Sequence, residues 1–167
     1  MEKIDNIIFN KVDEYDKILP KFSDGRLDYR KSDTCLVLTI FIFYKKKILL
    51  LKRSNKVGTY KKKWNTVTGY IDEKKPLYDK IREETQEEIG LNVENISSYK
   101  SYNFFEFEDK EIKKKWIIFP AKIKLNKLPK IQLNWEHTEF IWIYPEELIT
   151  FNIVPKLDLS LKYILKE

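Results

Sequence analysis

The stretch GYIDEKKPLYDKIREETQEEIGL, Gly69 to Leu91, leaves the chain least freedom. Residues 76–89 carry a helical pattern. Pro76 suits a first turn, where its missing N–H is not needed. Gly90 suits the residue that ends a helix. At about 100° per residue, with Leu77 at zero, Ile81, Thr85 and Ile89 fall at roughly 40°, 80° and 120° and form an apolar stripe. On the same wheel Glu84 and Glu88 lie roughly 20° to either side of Leu77, Glu87 near −80° and Glu83 near −120°. A carboxylate turned toward apolar surroundings is costly unless it is paired. Three at spacing i, i+3, i+4 also repel one another. Arg82 projects elsewhere, so a positive charge is expected between them, and a hard divalent ion held through oxygen, such as Mg²⁺, suits that place. An acidic face left to solvent is the other reading of the helix alone.

The rest of the chain supplies strands around this helix. TCLVLTIFIFY and KILLLKRS read as two strands joined by a lysine turn at 45–47. NKVGTYKKK is a loop and WNTVTG a short strand ending at Gly69. SYKSYNFFEFED and KKKWIIFPAKIKL form a strand pair, and TEFIWIY is a further short strand. PEELI starts a helix, and VPKLDLSLKYIL holds the last one. Residues 1–32 read as an extension of mixed pattern, with turn chemistry at FSDGRLDYR and no role assigned. Strands flanking a central helix indicate α/β with a mixed sheet, in one domain spanning 1–167.

Composition narrows the function classes. At 43% hydrophobic and 35% charged residues the chain is globular rather than disordered. The net charge of +6 suits phosphate-bearing ligands without requiring nucleic acid, and no aromatic ribonucleoprotein motif is present. Cys35 is the lone cysteine, which excludes an intramolecular disulfide and a multi-cysteine metal site; its apolar setting marks a core thiol. No basic-then-apolar leader is seen, and the run CLVLTIFIFY is too short to span a membrane, so a cytoplasmic location is expected. The four tryptophans are expected mostly in the core.

Gly69, Glu84, Glu87, Glu88, Gly90 and Leu91 resemble the Nudix hydrolase box: Gly, five residues, Glu, seven residues, Arg-Glu, aliphatic, any, Glu-Glu, any, Gly, aliphatic. Three positions depart from it. Lys75 stands for the first Glu, Glu83 for the Arg, and Thr85 for the aliphatic residue. A register slid by one would align Arg82-Glu83 with Arg-Glu, but the wheel places Glu84, not Glu83, on the face of Glu88. LLLKRSNKVGTYKKKWNTVTGYIDE and WEHTEFIWIYPEEL also resemble the segments before and after a Nudix box. The resemblance implies a Nudix-like α/β/α sandwich and metal-dependent hydrolysis of a nucleoside diphosphate linked to another group. It implies metal-ligand roles for Glu84, Glu87 and Glu88, with the backbone carbonyl of Gly69, and Mg²⁺ as the ion with Mn²⁺ as alternative.

Candidate chemistry follows from that resemblance. The general base in such proteins is a glutamate of the box, here Glu87, or one from a later loop, here Glu136. Glu108 and Glu111 are rivals. Arg53 and, more weakly, Lys61–Lys63, with Lys63 nearest the strand, are candidates for binding phosphate. His137, the only histidine, reads as a hydrogen-bonded structural residue. The expected substrate is a small nucleotide, a nucleoside triphosphate or dinucleoside polyphosphate first. The alternative is a non-catalytic nucleotide- or RNA-binding module with a degenerate box. The oligomeric state is left open.

Overall fold

The computed structural model describes residues 2–166. Its centre is a parallel pair of long strands, β1 (Thr34–Tyr44) and β7 (Lys114–Leu125), in register from Thr34 opposite Lys115 to Tyr44 opposite Leu125. On the far side of β7, β5 (Ile96–Ser101) and β6 (Phe105–Asp109) each run antiparallel to one half of it. The segment read as one strand, SYKSYNFFEFED, is therefore two, split where β7 passes from one partner to the other. On the other side of β1 the sheet divides. Its N-terminal half pairs with β4 (Val67–Tyr70), and its C-terminal end turns through Lys45 and Lys46 into β2 (Lys47–Arg53). β2 is flanked by β3 (Trp64–Asn65) and β8 (His137–Ile143), both antiparallel. The expected WNTVTG strand is broken at Thr66, whose hydroxyl donates to the Ile40 carbonyl at 2.6 Å.

Alternation along β1 builds two cores. Leu36, Leu38, Ile40 and Ile42 face one layer, with α1 (Glu2–Asp16) and α2 (Leu77–Ile89). Phe41 and Phe43 face the other, with α3 (Leu157–Leu165). Side chains alternate across a strand, so a strand apolar on both faces must lie between two covering layers. The result is an α/β/α sandwich around a mixed sheet. PEELI forms a short 3₁₀ helix, Pro145–Thr150, rather than opening an α-helix. No described helix is long and apolar enough to cross a membrane.

Helix α1 corrects the reading of residues 1–32 as an extension of mixed pattern. Ile8 and Val12 are buried in the α2-side core, with Ile4 and Tyr15 packed against it. The segment also grips the loop before α2. Leu27 N–H donates to the Asp72 carbonyl at 2.8 Å, and the Tyr29 hydroxyl to that of Ile71 at 2.7 Å. Tyr29 stacks on Tyr70 with centroids 5.4 Å apart. Pro76 cannot cap α2 with a side chain, and Asp5 of α1 accepts from Leu77 N–H at 2.8 Å in its place. Cys35 is buried as expected, and burial pushes its thiol up to about 11.

Candidate active site

Helix α2 runs as its pattern predicts and stops at Gly90, which takes φ +66°. That conformation is strained for residues with a β-carbon. The helix sits against β4, and Gly69 of β4 meets Glu84. A β-carbon at 69 would lie 2.1 Å from Glu84 Cδ. Only glycine lets the carboxylate lie against the strand backbone, which is the physical reason for the first glycine of the box. Glu84 and Gly69 both line a cavity of about 440 Å³. Arg53 and Glu136 line it too.

The short turn ahead of β8 brings Glu136 to this wall. Asn134 N–H donates to the Glu88 carbonyl at 3.1 Å, and Ser54 N–H to the Glu136 carbonyl at 2.7 Å. The turn is thereby pinned to the end of α2 and to the residue after β2. Asn134 Nδ2 donates to Glu136 Oε1 at 3.2 Å and holds the carboxylate in place. Arg53, the last residue of β2, donates from Nε and Nη2 to the Thr59 carbonyl, both at 3.1 Å. Burial lowers its guanidinium from the ordinary value, and the charges of Glu136 and Glu88 raise it again.

Glu88 is 1% exposed and does not reach the cavity wall. Its Oε1 accepts from Thr68 N–H at 3.1 Å, and its Oε2 lies 2.6 Å from His137 Nε2. Burial pushes the Glu88 carboxyl well above the ordinary carboxylate range, with Glu136 adding to the shift. Burial pulls the His137 imidazole down to about 4. Both directions favour an uncharged pair in which the carboxyl donates to Nε2. His137 is thus the structural histidine the sequence indicated. Its Nδ1 is buried without a hydrogen-bond partner among the described residues.

Glu84 is neutralised differently. Lys80, one turn earlier, is buried and places Nζ 3.0 Å from Glu84 Oε1. Burial pushes the Glu84 carboxyl up to about 7, with Lys80 pulling against it. Lys80, at roughly −60° on the wheel, lies between Glu84 and Glu87, where a metal ion was expected. Part of the positive charge assigned to a metal is therefore supplied by the chain. Glu87 is exposed, and its charge adds to the upward shifts of Glu84 and Glu88.

The two charged departures from the box are linked. Lys75 Nζ lies 3.1 Å from Glu83 Oε2 and 2.7 Å from Glu73 Oε1. The box has acid then base at these positions; here base and acid are exchanged and still paired. Thr85, the third departure, is buried and donates its hydroxyl to the Ile81 carbonyl at 2.8 Å, so its polar atom is satisfied within the helix.

Lys63 does not line the cavity; its backbone carbonyl accepts from Arg53 N–H at 2.9 Å. Glu108 and Glu111 are exposed at the β6–β7 turn, away from the wall. Trp116 is buried, but Trp135 is 59% exposed and lines the cavity beside Tyr70, contrary to a core assignment.

Among the described residues no three His, Cys, Asp or Glu side chains are gathered into a ready metal shell. The donor chemistry nonetheless fits a hard divalent ion. A carboxylate lies against a strand backbone on the cavity wall, a second acid stands exposed on the next turn, and every donor is oxygen.

Comparison with known proteins gives the fold a family. The NUDIX domain model matches residues 35–165. An Ap4A hydrolase from C. elegans, solved as a binary complex, superposes with a TM-score of 0.62 at 20% identity, covering 78% of this chain and 95% of that one. A MutT protein from Methanosarcina mazei Go1 gives 0.62 at 21%, covering 82% and 99%. The NUDIX domain of Shewanella oneidensis NrtR, complexed with ADP ribose, gives 0.66 at 12%, covering 80% and 87%. No curated protein matches the sequence. At these identities the superpositions speak for the fold, while the family match spans every strand of the sheet together with α2 and α3. The chain belongs to the Nudix family.

Proposed function

We propose that the protein is a divalent-metal-dependent pyrophosphohydrolase of small nucleotides. Its preferred substrate is a nucleoside triphosphate or a dinucleoside polyphosphate. The observation that carries this reading is the composition of one cavity wall: Gly69, Glu84 and Glu136 beside Arg53, with Tyr70 and Trp135 also lining the cavity. A pyrophosphate is anionic and resists attack by water, so its cleavage needs charge neutralisation and a positioned water. Mg²⁺ or Mn²⁺, when bound, would supply Lewis acidity to the phosphates. Glu84 and the Gly69 carbonyl would hold it from the cavity wall and Glu87 from the next turn, with Glu88 joining once its carboxyl gives up its proton and its bond to His137. Arg53 binds a phosphate oxygen. Glu136, beside Arg53 and held by Asn134, takes the proton from the attacking water. Tyr70 and Trp135 offer ring faces to a base.

Two of the similar proteins carry nucleotide names, an Ap4A hydrolase and a domain complexed with ADP ribose. They set the panel for the test. ATP, diadenosine tetraphosphate and ADP-ribose are incubated with Mg²⁺, with Mn²⁺ and with EDTA, and the products are identified. Metal-dependent cleavage of ATP or diadenosine tetraphosphate ahead of ADP-ribose is expected. Nucleotide binding without hydrolysis under any metal would establish the binding-module reading instead.

A further inference from the structure

The lysine beneath the metal candidates has a consequence for metal binding itself, and the inference rests on the metal reading above. Lys80 is 7% exposed, although lysine is almost never so buried without partners. Its ammonium is surrounded by three carboxylates. Glu84 Oε1 lies at 3.0 Å, Glu83 Oε2 at 3.4 Å and Asp72 Oδ1 at 3.5 Å. Glu84 cannot retreat from it at no cost, because its carboxylate is already pressed against Gly69. Asp72 is fixed as well: its backbone carbonyl accepts from Leu27 N–H, and its side chain faces Arg26 at 3.5 Å. The ammonium is therefore held in place by groups on the loop and on the helix.

We infer that Lys80 is an internal counter-cation that competes with the divalent metal for Glu84. It neutralises the buried carboxylate while the site is empty of metal, and it weakens metal binding through charge repulsion and through its hold on Oε1. Two effects of opposite sign follow from one side chain. Removing Lys80 should destabilise the metal-free protein, since a buried carboxylate loses its partner. The same change should strengthen metal binding, since the metal then neutralises that carboxylate alone. A residue that only filled space would produce the first effect without the second.

The test is a titration with Mn²⁺ alone, followed by calorimetry and by the melting temperature with and without the ion. Wild type is compared with Lys80→Met, which keeps the length and removes the charge, and with Lys80→Arg, which keeps the charge. Lys80→Met should bind Mn²⁺ about tenfold more tightly, a typical coupling between two sites. It should also melt lower without the ion and gain more from it, whereas Lys80→Arg should bind Mn²⁺ as wild type does. If Lys80→Met is too unstable to titrate, Lys80→Gln, which removes the charge and keeps a hydrogen-bond donor for Glu84, is read in the same way. Mn²⁺ binding by wild type with no tightening in the charge-removed variant would overturn the counter-cation and leave the metal reading intact. Wild type and variants that all fail to bind Mn²⁺ would overturn both.

Discussion

Two successive turns of helix α2 present the same problem and solve it differently. Glu84 and Glu88 are one turn apart and both turn toward the sheet. Near the N-terminal end the environment is cationic: Lys75 and Lys80 lie among Glu73, Glu83, Glu84 and Asp72. Near the C-terminal end, no lysine among the described residues is paired with Glu88. It is satisfied by a backbone N–H and by an imidazole that burial holds neutral. An ionic solution keeps a carboxylate charged and responsive to other cations, while a neutral hydrogen-bonded one fixes its geometry and removes its charge. Glu84 is thus poised to exchange one cation for another. Glu88 is locked until something changes around His137.

The largest effect should come from the locked end. Glu88→Gln can keep both of its bonds, accepting from Thr68 N–H and donating to His137 Nε2, so the fold should survive. Activity should fall by at least about a hundredfold, as when one group that stabilises transition-state charge is lost. Assays paired with melting curves check this, and a fully active Glu88→Gln would remove Glu88 from the metal set. Glu88→Ala should instead be less stable by about 2–3 kcal/mol, because the buried Thr68 N–H and His137 Nε2 lose their partner.

The next comparison is within the cationic end and decides the register of the box. Glu84→Gln should lower turnover at least about tenfold more than Glu83→Gln, a difference of roughly 1.4 kcal/mol in barrier. The reverse order would show that the box is slid by one residue. Smaller again is the cap supplied from outside the helix. Asp5→Ala should destabilise the protein by about 1 kcal/mol, the usual worth of an N-cap, and Asp5→Asn should recover most of it. Denaturant midpoints at constant slope measure both, and no change in Asp5→Ala would mean that α1 does not cap α2 in solution.

The smallest effect concerns the exchanged pair. Lys75→Glu places a third acid beside Glu73 and Glu83 and should cost about 0.5–1 kcal/mol. Lys75→Glu/Glu83→Lys restores acid and base in the order of the box and should recover that loss. Neither change should alter the rate by more than about tenfold. A double-mutant cycle reads the coupling, and an additive result would break the link drawn between the two departures.

Much of this end-to-end contrast was readable locally. Pro76 and Gly90 bound the helix, and the wheel put Glu84 and Glu88 on the sheet side, where the structure has them. Lys80 is legible too, because the same wheel sets it next to Glu84, at the place expected to hold a metal ion. The helix at Glu2–Asp16 carries Ile4, Ile8, Val12 and Tyr15 at helical spacing, but interspersed Asn and Asp blurred the pattern. Thr66 broke a strand that composition alone reads as continuous, because its hydroxyl found a carbonyl on β1.

What the sequence by itself determined is direction: which residues of an element share a face, where the element stops, and which charges are turned inward. These follow from the rise and rotation of a chain about its own axis. What only the tertiary structure decided is partnership. Glu88 meets His137 across 49 residues, and Leu77 N–H meets Asp5 across 72. Arg53 lies beside Glu136 because β8 pairs with β2, and Gly69 lies under Glu84 because α2 packs on β4. Periodicity carries no information about such pairs. They are set by sheet register and by which layer covers which face, and these emerge only when the whole core closes.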